Sequence, residues 1–319
     1  MNLQESLYSQ VFASDVVPVL FPNNEALVHS VDLSGFVSDA TGAPILHVPQ
    51  GFFVPGTKRN RDNFPAATVE GKDKDILMVL EDYSTDPFLI RNPQQTFLNY
   101  DARMQFFERG IMGGKTLMTK DMLYAWVGVR SLDGQNDALP AANIFQTTGS
   151  ATTDGKKALT YADLLKAKKI LDKADIPQDG RKILITPEME SELANDSDIK
   201  DAGAFGVRTM DNGRVIRVAG FDVMVRSSTV LYKLANATSQ TLQSRDTTEV
   251  ETNSATGYSQ AAIAWHPMAV GRAKTDPRLF EDLDNPTYYG DIHSALWYGR
   301  GIRLKNDGVV SIVRADDGV

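Results

Sequence analysis

Apolar positions along this chain recur in three patterns, and each pattern predicts a different element. Leu3, Leu7 and Val11 stand at i, i+4 and i+8, the spacing of a short amphipathic helix, before Pro18 and Pro22 break any regular element. A frayed terminus accounts for that stretch equally well. From 45 to 90 two apolar limbs follow each other. The first is Ile45-Leu46-His47-Val48 with Phe52-Phe53-Val54, and the second is Ile76-Leu77-Met78-Val79-Leu80. Between them lie Gly56, Lys58, Arg59, Arg61, Pro65, Gly71 and the mixed Lys72-Asp73-Lys74-Asp75. Two apolar limbs around a polar, turn-rich middle predict an extended β-hairpin. So long an excursion in a compact domain points to a functional role or to disorder.

Asn92-Pro93-Gln94-Gln95 is a helix start, with Asn92 as cap, Pro93 in the first turn and Gln95 as capping partner. Phe97, Tyr100, Met104, Phe107 and Ile111 follow at helical spacing. Gly110, Gly113 and Gly114 interrupt, each costing ~1 kcal/mol against Ala. A second helical stretch, 119–127, either continues the axis or bends away. A continuous helix over 93–127 would be about 50 Å long at ~1.5 Å per residue. Residues 131–157 are turn-rich and yield no clear element.

Thr160 opens the clearest helix, with Asp163 as its capping partner. Tyr161, Leu164, Leu165, Ala167 and Leu171 form its apolar face, and Lys166, Lys169 and Lys173 a solvated face opposite. It ends before Pro177. Lys182-Ile183-Leu184-Ile185 reads as a buried strand, and Thr186-Pro187-Glu188 caps a helix running to about Leu193. Residues 215–218 and 221–225 flank Ala219-Gly220 as a hairpin, and the polar stretch 234–257 reads as an exposed loop. Ala261-Ala262-Ile263-Ala264-Trp265 is a buried strand. Residues 294–304 and 309–313 flank Asn306-Asp307-Gly308, whose Asp-Gly predicts a second hairpin.

Composition narrows the function. The 319 residues include no Cys, which removes disulfides, thiolate metal sites and cysteine nucleophiles. A length beyond ~250–300 residues favours one elaborated domain or two sub-domains sharing strands. Residues 1–10 lack the basic and apolar regions of a signal peptide, and no stretch approaches the ~18 apolar residues of a membrane span. The net charge of -8 disfavours a general DNA-binding protein but does not argue against a container for DNA, whose wall should not grip the polymer tightly.

Candidate chemistry is sparse. His29, His47, His266 and His293 include no i, i+4 metal pair, and His266 before Pro267 reads as a structural histidine. Gly110-Ile111-Met112-Gly113-Gly114-Lys115-Thr116 imitates the end of a phosphate-binding loop without its glycine spacing and inside a helical pattern. Glu281-Asp282-Leu283-Asp284 is acidic but lacks the Gly-anchored calcium pattern, so a solvated or partner-facing patch is the better reading. We therefore expect no catalytic residue, no cofactor and no metal. What remains is a set of projecting surfaces, which imply partners.

The run from Leu159-Thr160-Tyr161-Ala162-Asp163 through Ile176-Pro177-Gln178-Asp179-Gly180-Arg181 to Thr186-Pro187-Glu188-Met189 resembles tailed-bacteriophage major capsid proteins with the Hong Kong 97-type fold. Ala219-Gly220-Phe221-Asp222-Val223 with Arg226-Ser227-Ser228, Ala261 to Pro267 with Ala269-Val270-Gly271, Tyr289-Gly290-Asp291 and the closing 298–313 stretch extend the resemblance over roughly 45–313. It implies an α+β fold with an N-terminal arm (1–44), an extended hairpin loop, or E-loop (45–90), a spine helix with the first part of a peripheral domain (91–157), an axial domain (158–260) and the closing peripheral strands (261–319). The glycines within the candidate spine depart from a simple long helix.

The same resemblance implies a non-enzymatic subunit that self-assembles into hexamers and pentamers of an icosahedral shell around double-stranded DNA. Its site is the virion capsid, assembled in the host bacterial cytoplasm without a membrane. Portal and scaffolding proteins are implied partners, with a decoration protein as a further one and packaged DNA in non-specific contact. No scaffolding segment is evident at the N-terminus, so a separate scaffolding protein is expected. We assign Lys58, Arg59 and Arg61 of the loop tip to contact with a neighbouring subunit, and Glu281, Asp282 and Asp284 as receivers. A merely solvated basic tip fits as well. Some relatives carry Lys–Asn links between subunits; Lys58 lies in the right element, but no partner is evident. Two other readings remain: an encapsulin-type compartment of the same fold, told apart by nucleic-acid absorbance, and an unspecified enzyme, which would run as a small oligomer in size-exclusion chromatography.

Overall fold

Two sheets organise the chain, each built around one long strand. The computed structural model describes residues 24–37, 45–50, 56–57, 59–60, 62, 74–91, 102–128, 139–199, 210–211, 214–235, 239–246, 248–252 and 257–317. The expected helix around Leu3 to Val11 and the helix start at Asn92 lie outside these residues.

In chain order the first strands are β1 (Val31–Asp32), β2 (Ile45–Gln50), β3 (Lys74–Val79), β4 (Glu81–Ser84) and β5 (Phe88–Arg91). Helix α1 (Ala102–Val127), β6 (Ile144–Gln146), α2 (Tyr161–Lys173), β7 (Lys182–Ile185) and α3 (Pro187–Asn195) follow. Short strands β8 (Met210–Asp211), β9 (Arg214–Val215) and β10 (Arg217–Val218) precede β11 (Phe221–Val225), β12 (Val230–Leu234) and β13 (Gln240–Leu242). The chain closes with β14 (Tyr258–Trp265), β15 (Val270–Lys274), β16 (Arg278–Asn285), β17 (Gly290–Arg303) and β18 (Val309–Val313).

β14 centres the larger sheet. β18 pairs along one of its edges, while β12 and β7 share the other end to end. Both faces are covered, which is why the strand reads as an unbroken apolar run rather than an alternation. Ala261, Ile263 and Trp265 face a core with Trp126, Leu123 and Tyr232. Ala262 and Ala264 face the opposite core, with Leu164, Leu171, Met189 and Leu193 from α2 and α3. The Trp126 and Trp265 rings meet at 5.5 Å and 47°, an arrangement that adds to their area burial.

β17 centres the six-stranded sheet in the same way. β15 and β16 succeed each other along one edge, β4 and β5 along the other. Two threonines bridge the breaks. Thr275 Oγ1 accepts from Tyr298 N at 2.9 Å, and Thr85 Oγ1 accepts from Ala295 N at 2.8 Å, each replacing a missing ladder carbonyl.

α1 is continuous through Gly110, Gly113 and Gly114, so over its 26 residues, about 39 Å, the interruption expected from the glycines does not occur. The helix crosses β17 at close range. A Cβ on Gly114 would lie 2.0 Å from Trp297 Cζ2, and one on Gly301 would lie 2.8 Å from Met122 O. Close packing across the two elements offsets the helical cost of glycine. At the far end the buried Arg303 donates to Trp126 O (3.0 Å) and Gly128 O (2.9 Å), satisfying carbonyls the helix leaves open.

Local expectations mostly hold. Asp163 accepts from Thr160 N at 3.2 Å, and Thr186 Oγ1 accepts from Met189 N at 3.5 Å, as the two caps require. Arg181, 2% exposed, folds over the Pro177–Arg181 turn to donate to Pro177 O (2.8 Å) and Ile176 O (2.5 Å), and pairs with Asp172 at 2.7 Å. Ala219 and Gly220 take positive φ of 53° and 87° between β10 and β11, completing that hairpin.

Four readings are corrected. Residues 290–303 and 309–313 do not pair: β17 and β18 belong to different sheets, and Asn306–Gly308 is a 3-10 turn that carries the chain between them. Gly308 is required there because a Cβ would lie 2.2 Å from Ala269 Cβ. The polar stretch 234–257 contains β13 and is not all loop. Leu165 is exposed, since α2 rests on its Leu164, Ala167 and Leu171 stripe. Lys166 is not only solvated: its Nζ sits 4.0 Å from the centre of the Phe145 ring.

Candidate inter-subunit surface

Two parts of this chain project from its cores. The first is the excursion. β2 and β3 pair in six-residue antiparallel register, from Ile45↔Val79 to Gln50↔Lys74, and form a two-stranded sheet of their own. Leu46, Met78 and Leu80 anchor its base against Leu33, Ala273 and Ile302. Towards the tip, Arg59 is exposed, whereas Lys58 and Arg61 lie outside the described residues.

The second part is β16. Its inner edge pairs with β17, and among the described residues no strand covers its outer edge. Every side chain from Arg278 to Leu283 is exposed, on both faces of the strand. Leu279, Phe280 and Leu283 are 51%, 51% and 53% exposed, a concentration of apolar surface on an open edge. Such edges invite another chain unless they are blunted. The hairpin turn beyond it presents Tyr288 and Tyr289. Tyr289 holds a φ of 52°, a left-handed conformation uncommon for a non-glycine residue, fixed by its N–H to Asn285 O at 2.9 Å. Asn285 in turn accepts from Thr287 N (2.9 Å) and donates to Asp282 Oδ2 (2.8 Å).

The predicted acidic receivers thus sit on this edge, each engaged within its own chain where the structure describes it. Glu281 lies 3.6 Å from Nδ1 of the fully buried His293, and Asp282 holds Asn285. The Asp284 backbone belongs to β16; its side chain lies outside the described residues. Neither the basic tip nor the acidic edge pairs with the other within the described part of one chain. The apolar side chains beside the acids were missed, although Leu279, Phe280 and Leu283 stood within the same octet.

Sequence reading also missed a buried charge network at the chain's end. Arg314, 2% exposed, pairs with Asp154 at 2.9 Å, with Glu192, and with Glu251 at 3.5 Å. Lys156, equally buried, pairs with Asp316 and donates to Ser259 Oγ at 2.5 Å. Burial pushes the Glu192 and Glu251 carboxyls above the ordinary glutamate range, while the Arg314 hydrogen bond holds Asp154 below its own. A cavity of about 610 Å³ borders the network. Its carboxylates are committed to the fold: Glu192 accepts from Leu159 N and Asp196 from Tyr161 N, both at 2.8 Å.

His266 is the structural histidine its position before Pro267 predicts. Its Nδ1 accepts from Met268 N at 3.2 Å, and its Nε2 lies 3.1 Å from Asp179 O. Among the described residues no cluster of three or more metal-ligating side chains occurs, and no helix is long and apolar enough to cross a membrane.

Solved structures superpose on nearly the whole chain. A chain of Mycobacterium phage Che8 matches with a TM-score of 0.60 at 16% identity, covering 95% of this chain and 96% of that one. The capsid of cyanophage P-SCSP1u gives 0.64 at 16% identity over 98% and 94%, and that of cyanophage Pam1 gives 0.64 at 10% over 97% of each. These likenesses define the fold class, an α+β fold of the Hong Kong 97 type. The phage capsid protein family matches residues 120–296, more than half of the sequence. The chain belongs to that family and is a major capsid protein, a structural component of the virion that associates with its own copies. A search of curated protein sequences found no match.

Proposed function

We propose that this subunit joins into hexamers and pentamers of an icosahedral shell enclosing the double-stranded DNA of a tailed phage. The observation that carries the reading is the open β16 edge, apolar and acidic together, on a chain that also projects a basic-tipped hairpin. In this arrangement Lys58, Arg59 and Arg61 reach β16 of a neighbouring copy. Leu279, Phe280 and Leu283 supply buried area, and Glu281, Asp282 and Asp284 supply register. Exposed ion pairs are worth only ~0–1 kcal/mol each, so charge sets orientation and apolar contact supplies strength. Many such modest contacts, linked in one particle, add up to a stable shell.

On this reading the chain divides into an arm (1–44), the E-loop (45–90), the spine with the first peripheral part (91–157), the axial domain (158–260) and the closing peripheral strands (261–319). Assembly takes place in the bacterial cytoplasm with scaffolding and portal proteins, and a decoration protein is a further candidate. The negative net charge lets packaged DNA touch the wall without being gripped. The family match favours this over a protein-filled encapsulin compartment.

Electron micrographs of purified particles test the proposal. Icosahedral shells with dense, tailed interiors and a nucleic-acid absorbance ratio are expected. Shells holding only protein would move the assignment to the encapsulin reading, and a small soluble oligomer at every concentration would overturn assembly itself.

A further inference from the structure

We propose that Glu81 is the hub of an electrostatic clasp that ties the base of the excursion to the segment following β13, so that the two segments open and close together. The inference concerns contacts within one chain and holds whether or not the loop tip meets β16 of a neighbour.

The pivot is Leu80. β3 before it pairs with β2 in the excursion's own sheet, and β4 after it pairs with β17. The chain therefore changes sheets across one residue. Arg300 of β17 spans that point: its Nη1 donates to Val79 O at 3.2 Å and to Glu81 Oε1 at 3.1 Å. The other carboxylate oxygen of Glu81 receives Arg245 Nη1, from a residue 164 positions further along the chain. Two guanidiniums on one half-buried carboxylate make a charge-assisted junction, stronger than an isolated surface pair.

The Arg245 segment leaves the fold at Gln243, whose N–H donates to Leu231 O at 3.1 Å. Apart from Gln243 and Arg245, the described residues between Leu242 and Glu251 are exposed. Beside the clasp lies a cavity of about 290 Å³ bordered by Tyr83, Asp121, Tyr124 and Gly301. Asp121 accepts from Tyr83 Oη at 2.9 Å, and burial pushes its carboxyl above the ordinary range. Losing Glu81 should therefore loosen both partners at once: the excursion base on one side and the 243–246 segment on the other.

Hydrogen exchange read by mass spectrometry on the full chain tests this, comparing wild type with Glu81→Gln, Arg245→Met and the double variant. Arg217→Met, which removes an exposed pair elsewhere on the surface, serves as control. Glu81→Gln should speed exchange of amides 74–79 and 243–246 together, by about threefold to tenfold; Arg245→Met, which leaves the Arg300 pair in place, should speed 243–246 as much and 74–79 less. The double variant should go no further than Glu81→Gln alone, because that change already removes the Arg245 contact. Exchange in β14 and β18 and in the control should stay at wild-type rates. Faster exchange in only one of the two segments, additive effects in the double variant, a rise that spreads to β14 and β18, or no change at all would each overturn the clasp.

Discussion

Gly113 and Gly114 are neighbours in one helix with opposite physical reasons for being there. Nothing lies within 4 Å of a Cβ placed on Gly113, whereas one on Gly114 would strike the Trp297 ring. Gly113→Ala should stabilise the subunit by up to ~1 kcal/mol through helix propensity alone. Gly114→Ala should destabilise it by ~1–3 kcal/mol through overpacking. Urea unfolding of both variants checks the difference in sign. His266 makes a second residue-level prediction. Burial is the first cause, with Arg181 and Lys305 adding to it, of a pKa below the ordinary histidine value. The folded state therefore binds fewer protons at His266 than the unfolded chain does. The stability it contributes is complete above the ordinary histidine range and is lost as pH falls through that range toward the lowered value. His29, lowered mainly by burial as well, works in the same direction, while the raised Glu192 and Glu251 oppose it. Replacing His266 with Asn, which keeps an acceptor for Met268 N, should flatten the loss of urea stability between about pH 7.5 and about pH 5.5. An unchanged slope would show that His266 does not titrate with folding.

β16 and β14 show how one element type serves two ends. β14 is enclosed on both faces and both edges, so its apolar residues stabilise the subunit. β16 has one paired edge and no covered face, so Leu279, Phe280 and Leu283 contribute little to the fold of a single copy. Changing these three to Ser should leave the urea midpoint of the isolated subunit nearly unchanged. It should weaken assembly strongly, because covering the exposed half of each side chain is worth ~1 kcal/mol per residue per copy. Sedimentation across a concentration series reads both effects. Full-size shells at the wild-type threshold would remove β16 from the contact surface. The element types were legible in advance: caps at Thr160 and Thr186, the buried 182–185 and 261–265 runs, and the 45–79 hairpin all announce themselves locally. The β17–β18 hairpin was misread because Asp-Gly favours a tight turn, whereas the packing of Gly308 on Ala269 decides that the two strands diverge.

At the scale of the whole molecule, the contact surface proposed above lies apart from the cores that hold the subunit together. Two cores flank the β14 sheet, and α1 braces the β17 sheet, so the projecting edges can be altered without touching either. Changing Lys58, Arg59 and Arg61 together to Glu should therefore preserve the circular dichroism and melting of the subunit while blocking shell closure, since like charges would then face the acidic edge. Normal particles from that variant would show the basic tip to be merely solvated.

The sequence by itself determined the capped helices α2 and α3, the buried β7 and β14 runs, the β2–β3 and β10–β11 hairpins, and the order of elements that resembles a capsid subunit. These are set by spacing and by contacts within a few residues, which a linear reading can see. Only the tertiary structure decided which strands share a sheet and that the glycines of α1 are packing sites rather than breaks. The same holds for Arg314 with Glu192, Lys156 with Asp316 and Glu81 with Arg245, pairs more than 100 residues apart in each case. A charge or a glycine looks the same in sequence whether it faces water or a partner. Its energy depends on burial and on neighbours that only the folded chain brings together.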